Sequence, residues 1–376
     1  MSNSRKWDQI NRIVIKIGTS TLTNPNGELN FEHIKNLLRE ISYWHNQGKE
    51  IILVSSGAVA VGAHRMNFSQ VPKTMPEKQA LAAIGQGELI NLYEEMFAEY
   101  QKVIAQVLLT RGDFDHRLSY LNATNALLAI LNLNVIPIIN ENDTISTVEI
   151  KFGDNDTLSA MVAAMLNADM LIILSDVDGL YDCDPRVNKN AQLFTEITNI
   201  TSEMENSSLN RGSSFSSGGM FTKLKAARIC MSYGAHMIIA NNAVENIISR
   251  LLNGETLGTL FIPRYEKMQA RKKWIAFGRL AQGTIVVDAG AEAALANNGK
   301  SLLPSGIIKV IGAFDRGALV AVENAQGYEI ARGITNYSSH ETGLIAGCHS
   351  SDIEKILHEK DYDEVIHRNN LWVEKS

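Results

Sequence analysis

Two lysines stand where a simple soluble fold would not put them. Lys16 lies inside an apolar run, Ile13-Val14-Ile15-Lys16-Ile17-Gly18, and Lys223 follows a glycine pair in Gly218-Gly219-Met220-Phe221-Thr222-Lys223. A buried lysine needs a partner. A cation at a strand end beside a glycine turn suits a phosphate, although an edge strand facing solvent would also account for Lys16. Lys223 falls in the first turn of an expected helix, against the dipole preference for anions there. An anionic ligand would remove that conflict, and so would plain solvation.

Three small-residue turns accompany them: Gly18-Thr19-Ser20, Ser55-Ser56-Gly57-Ala58 and Ser217-Gly218-Gly219-Met220. Each can be an ordinary tight turn. Together, at expected strand ends and a helix start, they favour a site where backbone N–H groups meet anionic oxygens. Carboxylates and amides cluster in Asn140-Glu141-Asn142-Asp143-Thr144 and Phe152-Gly153-Asp154-Asn155-Asp156. Such segments could orient an amine or a metal-bound nucleotide, or could be turns and caps. Asp156 could simply cap the helix that follows. Ser175-Asp176 and the loop Asp178-Gly179-Leu180-Tyr181 then Asp184-Pro185 are placed to touch a nucleotide. Gly299-Lys300-Ser301 is a decoy: a P-loop needs glycine where Ala294 stands, and a strand where Glu292–Ala296 reads as helix. No HExxH or GxSxG occurs, which leaves metal-hydrolase and serine-nucleophile chemistry without support.

The elements that must hold these residues follow from periodicity. Ile13–Ile17, Ile51–Val54, Val103–Leu109, Val135–Ile139, Met170–Leu174 and Met237–Ala240 are short Val/Ile/Leu-rich runs, several apolar on both faces. They read as strands between helix layers. Helical segments alternate with them at Phe31–Asn46, Thr74–Tyr100, Leu118–Leu131, Asp156–Asn167 and Thr222–Tyr233. This is an α/β pattern with a mostly parallel central sheet. After Pro263 the texture changes, and glycine-punctuated β runs appear at Thr284–Asp288, Ile307–Ile311, Leu319–Glu323 and Glu329–Gly333. The expected organisation is a first domain over 1–262, a linker over 263–280, a small mostly-β domain over 281–360 and a charged tail over 361–376.

Composition fits a globular chain of two domains: 376 residues, 45% hydrophobic and 20% charged, net charge -6. Three scattered cysteines, Cys183, Cys230 and Cys348, exclude a disulfide framework and suggest a reduced, cytoplasmic setting. No signal peptide or membrane-length apolar run is visible.

These residues resemble the glutamate 5-kinase family of the amino acid kinase superfamily. The resemblance is carried by VIKIGTSTLT (Val14–Thr23), VSSGAVAVG (Val54–Gly62), INENDT, GDNDTLSA, LSDVDGLYDCDPR (Leu174–Arg186) and SGGMFTKLKAA. The later GTIVVDAGA, SLLPSGI and FDRGALVAV are similar to a PUA domain. SSGA is shared with carbamate, aspartate and acetylglutamate kinases, whereas the INEND and GDND pair with a PUA tail is specific. The resemblance implies an αβα sandwich with an appended small PUA barrel. It implies phosphorylation of the L-glutamate side-chain carboxylate by Mg-ATP to L-glutamyl 5-phosphate, the first step of proline synthesis.

By motif, Lys16, Asp156 and Lys223 are the implied catalytic residues, with Asp156 positioning the two lysines. Ser56, Gly57, Asp143, Asn155 and Asp154 would hold glutamate. Lys16, Ser175, Asp176, Ser217, Gly218, Gly219, Met220, Phe221, Thr222 and Lys223 would hold ATP. Mg²⁺ would come with ATP rather than on protein ligands. The resemblance also implies proline as an allosteric inhibitor, a homo-oligomer and a glutamyl phosphate reductase as partner. The family's Gly-Thr-Gly-Gly-Met loop here reads Ser216-Ser217-Gly218-Gly219-Met220, so a positive φ at Ser216 is harder to adopt. PUA domains occur in RNA-modifying enzymes, yet Ile275–Ser376 carries nine Lys or Arg against thirteen Asp or Glu. That balance lacks the basic footprint of an RNA binder. A kinase of the same fold acting on another acid or a nucleotide, and an inactive regulatory subunit, are the other readings.

Overall fold

The computed structural model describes residues 5, 7, 9–24, 28–68, 72, 74–115, 117–146, 154–183, 185, 187–188, 190–201, 204, 219–263, 281–298 and 300–373. The chain divides into two compact units, Met1–Arg264 and Tyr265–Ser376. The segment 264–280, within the expected linker, lies outside the described residues.

The first unit is built on β1 (Arg12–Ile17), β2 (Glu50–Val54), β3 (Ile104–Leu109), β4 (Ile136–Glu141), β5 (Met170–Ser175), β6 (Glu196–Ile197), β7 (His236–Asn241) and β8 (Thr259–Phe261). They form one eight-stranded sheet in the order β3-β4-β2-β1-β5-β7-β8-β6. All neighbours are parallel except the antiparallel β7–β8 pair. The apolar runs are continuous because both faces are buried. Side chains alternate across a strand, so Ile13, Ile15, Ile17 and Ile172 enter one core and Val14, Ile52, Val54 and Ile173 the other.

Among the described residues, the helices of this unit include α1 (Thr19–Leu22), α2 (Phe31–Asn46), α3 (Ala58–Arg65), α4 (Met75–Ala98), α5 (Arg111–Asp115), α6 (Arg117–Asn132), α7 (Asn155–Met165), α8 (Met220–Ser232) and α9 (Ile247–Leu252). Asn30 caps α2 by accepting from the His33 N–H, and Ile34, Leu37, Leu38 and Ile41 give it one buried stripe. Leu158 and Val162 of α7 and Leu224 of α8 bury on the opposite face of the sheet.

The helix α3 was not expected from periodicity. Ala58 and Gly62 are small where the backbone of α4 passes against this helix. A Cβ on Gly62 would come within 2.0 Å of the Leu81 carbonyl oxygen, and one on Gly85 within 1.9 Å of that of Ala58. Ala or any larger residue at either position would force the helices apart.

The second unit has a five-stranded sheet in the order β10-β9-β11-β12-β13. Its strands are β9 (Gly283–Val287), β10 (Ile307–Ile311), β11 (Leu319–Glu323), β12 (Glu329–Ile334) and β13 (Leu371–Val373). Its helices are α10 (Ala289–Asn298), α11 (Ser339–Ile345) and α12 (Ile353–Leu357). Ser338 and Glu341 form a capping box at the start of α11. The helix α10 covers Ala294, which removes the strand that a P-loop would need; Gly299 lies outside the described residues.

The expectation of a charged tail over 361–376 is corrected here. Leu371–Val373 pairs antiparallel with β12, and Val365 and Ile366 are fully buried in the core of this unit. Asp361, Asp363 and Glu364 precede the buried pair, and Arg368 lies between it and β13.

Candidate functional site

The strand β1 runs between β2 and β5, with Lys16 level with Val54 on one side and Ile173 on the other. This disposes of the edge-strand reading. The Lys16 side chain turns from its apolar strand to a carboxylate, with Nζ 2.8 Å from Asp156 Oδ1. At Gly18, between β1 and α1, a Cβ would lie 3.2 Å from that Nζ.

Asp156 receives a second lysine. Lys223 Nζ lies 3.1 Å from Asp156 Oδ2, and the Thr222 hydroxyl is 2.9 Å from the same oxygen. The Asp156 residue is 0% exposed, and Lys16 and Lys223 are 8% and 5% exposed. Burial works against ionisation of Asp156, but Lys16 and then Lys223 outweigh it and hold the carboxyl down to about 2. The dipole conflict at Lys223 is answered by Asp156, a protein anion seated at the first turn of α8.

The cap of α7 answers one alternative, that Asp156 caps the helix. Asp154, not Asp156, is the N-cap: its Oδ1 accepts from the Thr157 N–H at 2.6 Å, and its Oδ2 from the Thr157 hydroxyl at 3.0 Å. Burial pushes the Asp154 carboxyl up, partly opposed by the Thr157 N–H. Both of its oxygens are engaged at the helix end. Asp156 is thereby left to turn inward, where the lysines meet it.

Asn155 precedes Asp156 on α7 and faces the turn after β2. Its Nδ2 lies 2.6 Å from the Ser55 carbonyl oxygen, 2.9 Å from Ser56 Oγ and 2.9 Å from Asn140 Oδ1. Thus the structure brings Ser56 and Asn155 together. Gly57 takes a positive φ of 92° at the start of α3, a conformation that glycine adopts without cost. Beneath the turn, Ser55 Oγ bonds Tyr93 Oη at 2.8 Å, and burial pushes the Tyr93 phenol up to about 12. Asp143 lies half-buried in the turn after β4. Ion pairing brings Lys16, Asp156 and Lys223 into one cluster, and the first two residues of α7 join it to the Ser56 turn.

On the β5 side, Ser175 is buried at the strand end and its hydroxyl donates to Asp176 Oδ1 at 3.1 Å. Asp178 accepts from Tyr181 Oη at 2.9 Å and from Asn241 Nδ2 at 2.8 Å. Gly179 packs so closely on β8 that a Cβ would meet Thr259 Oγ1 at 2.4 Å. Gly219 is the N-cap of α8, and Met220 and Phe221 open the helix, Phe221 partly exposed. Ser216, Ser217, Gly218, Phe152, Gly153, Asp184 and Arg186 lie outside the described residues. Among the described residues, no group of three or more His, Cys, Asp or Glu is placed to hold a metal ion.

Sequence reasoning named Asn140 only as part of a polar cluster, and it missed Gln86, Asn241 and Asn242. Gln86 lies on α4 and accepts from Asn140 Nδ2 at 2.8 Å. Nothing in its neighbourhood in the sequence marks it. Asn242 Nδ2 reaches Thr21 Oγ1 at 2.5 Å, tying the end of β7 to α1; the strand-end rule could have pointed to it.

What such a cluster can do follows from its charge and place. Two ammonium groups and one carboxylate, at the carboxyl end of a parallel sheet, leave one positive charge among these three groups. That suits anionic oxygens.

Comparison with known proteins places the chain in a family. The model of the amino acid kinase family matches residues 11–241, and that of the PUA domain matches 283–357. A glutamate 5-kinase from Caldanaerobacter subterraneus subsp. tengcongensis is 51% identical over 96% of this chain and 97% of its own length. Those of Thermoanaerobacter sp. and Carboxydothermus hydrogenoformans are 50% and 48% identical, each over 96% of this chain and 97% of their own. Among solved structures, a UMP kinase from Bacillus anthracis aligns with a TM-score of 0.47 at 18% identity, over 68% of this chain and 96% of that one. The chain belongs to the amino acid kinase family, within its glutamate 5-kinase branch, and carries a C-terminal PUA domain.

Proposed function

We propose that this protein transfers the γ-phosphoryl group of ATP to the side-chain carboxylate of L-glutamate. The products are L-glutamyl 5-phosphate and ADP, and the reaction opens proline biosynthesis. The observation that carries this reading is the buried Lys16–Asp156–Lys223 cluster, one residue along α7 from the Asn155–Ser56 pair.

The chemistry fits these residues. A glutamate side chain, with a reference pKa of about 4.3, is already ionised at neutral pH. It needs no general base. The barrier is repulsion between two anions and the alignment of an in-line attack. Lys16 and Lys223 supply positive charge at the transferring group, and Asp156 fixes both ammonium groups so that little reorganisation is needed. Thr222 locks the second oxygen of Asp156. Ser56, Asn155 and Asp143 hold the amino acid, Asp143 by pairing with its ammonium. Ser175, Asp176, Gly219, Met220 and Phe221, with Ser217 and Gly218, line the nucleotide. Magnesium enters with the nucleotide, as the counter-ion of its phosphates.

The same reading places proline as an end-product inhibitor, a reductase as consumer of the acyl phosphate, a homo-oligomer as the working form and the cytoplasm as its location. No helix among the described residues is long and apolar enough to cross a membrane.

The test is ADP release with Mg-ATP and a panel of L-glutamate, L-aspartate, N-acetyl-L-glutamate, carbamate and uridylate, with hydroxylamine present to trap acyl phosphate. Glutamate-dependent hydroxamate is the expected result. Turnover with another acceptor alone would overturn the substrate assignment and leave the fold standing.

A further inference from the structure

We propose that Gln86 is a positioning residue for the amino-acid substrate, acting through the side-chain amides of Asn140 and Asn155. This rests on the reading of Ser56 and Asn155 as the acceptor site.

The orientation of each amide can be read from partners that leave no choice. The Glu141 backbone N–H, which can only donate, lies 2.9 Å from Asn140 Oδ1. The oxygen of Asn140 is therefore fixed, and its Nδ2 must face Gln86, which presents Oε1 at 2.8 Å. At the far end, the Ser55 carbonyl can only accept, and it lies 2.6 Å from Asn155 Nδ2. The NH₂ group of Asn155 is thereby turned toward Ser55, Ser56 and Asn140. Its Oδ1 is left as an acceptor and makes no hydrogen bond among the described residues. Ser56 Oγ accepts from Asn155, so its own hydrogen is available to donate. The pair thus offers one acceptor, suited to an ammonium, and one hydroxyl donor, suited to a carboxylate.

Gln86 matters because Asn140 is 2% exposed. If the acceptor opposite its Nδ2 is lost, a buried NH₂ is left without a partner. The Asn140 amide then moves toward another acceptor and gives up its bond to Asn155. Gln86 is remote from the Lys16–Asp156–Lys223 cluster in this chain of bonds. Its loss should register in substrate affinity rather than in phosphoryl transfer.

The test compares Gln86→Met, which keeps the length and removes the acceptor, with Gln86→Glu, which keeps an acceptor oxygen. Gln86→Met is expected to raise the glutamate KM about fivefold or more, with kcat and the ATP KM within about twofold of the parent. Gln86→Glu is expected to recover most of that rise. In an Asn140→Ala background, Gln86→Met should add nothing, because both changes act through one bond. An unchanged glutamate KM in Gln86→Met, equal loss in both Gln86 variants, or full additivity with Asn140→Ala overturns the proposal. A parent enzyme that turns over a different acid overturns only the substrate reading, and the same KM ratios are then read for that acid.

Discussion

Among the described residues, each unit of this protein carries an ionic cluster of three or more side chains, and the two are built in opposite ways. In the first, one carboxylate is shared by two lysines: Asp156 between Lys16 and Lys223, with the Asp156 side chain 1% exposed. In the second, one guanidinium is shared by three carboxylates: Arg316 bonds Glu341, Glu359 and Asp361, with its side chain 32% exposed. Arg316 also lies over the Tyr337 ring, 5.9 Å from its centre. The first cluster leaves an excess positive charge in a dry place; the second leaves excess negative charge in a wet one. Water screens the second and lets each member be lost at small cost. The first has no such screen, so its charge balance is a structural necessity as well as a chemical tool.

The largest way to break the comparison is Asp156→Asn. It leaves two buried ammonium groups without their counter-charge. The expected loss is about 3–5 kcal/mol of stability, read by urea unfolding, together with loss of turnover. An unfolding midpoint equal to that of the parent would show that the lysines do not depend on Asp156.

Acid sharpens the same point. The Asp156 carboxyl is held at about 2 in the folded protein, against about 3.9 in an unfolded chain. A depressed carboxylate stabilises the fold above its unfolded value, and that contribution is lost as pH falls from about 4 toward about 2. It amounts to about 2–3 kcal/mol. Acid unfolding of the first unit should therefore be less steep in Asp156→Asn than in the parent, and equal steepness would count against the assignment.

Asp143→Ala comes next. In the proposed role, Asp143 pairs with the substrate ammonium, and loss of that charge-assisted bond corresponds to about a tenfold or greater rise in glutamate KM. An unchanged KM would remove Asp143 from the site.

The smallest effect is expected in the second unit. Arg316 holds the Glu341 carboxyl down to about 2 through its hydrogen bonds. Glu359→Gln nonetheless removes a half-exposed contact worth at most about 1 kcal/mol. Kinase activity and thermal midpoint should both stay near the parent, and a large loss of either would place that cluster in a different role.

What could be read from the sequence divides along physical lines. Central strands were legible because both faces are buried, so Ile13–Ile17 and Met170–Leu174 stand out as unbroken apolar runs. The helix α2 was legible from one stripe. The helix α3 was not, because close approach to α4 demands Gly62 and small neighbours, which carry no stripe. The strand β13 was hidden by the charges around it, and β6 and β8 are too short to show a period. At the site, Lys16 was marked by its apolar run, and Lys223 by a glycine pair and a helix start that disfavours a cation. Which of Asp154 and Asp156 caps the helix and which turns inward depends on where the lysines lie in space. Local spacing holds no record of that. Gln86 was illegible for the same reason, since its meaning comes from a bond to Asn140, 54 residues away.

The measurement closest to the central claim is the kcat of Lys223→Ala at saturating glutamate and Mg-ATP. If the buried cation stabilises charge in the transition state, kcat falls by about 10²–10³, while the glutamate KM stays within about threefold of the parent. A kcat near that of the parent would contradict the account and make the Lys16–Asp156–Lys223 cluster a feature of the fold alone.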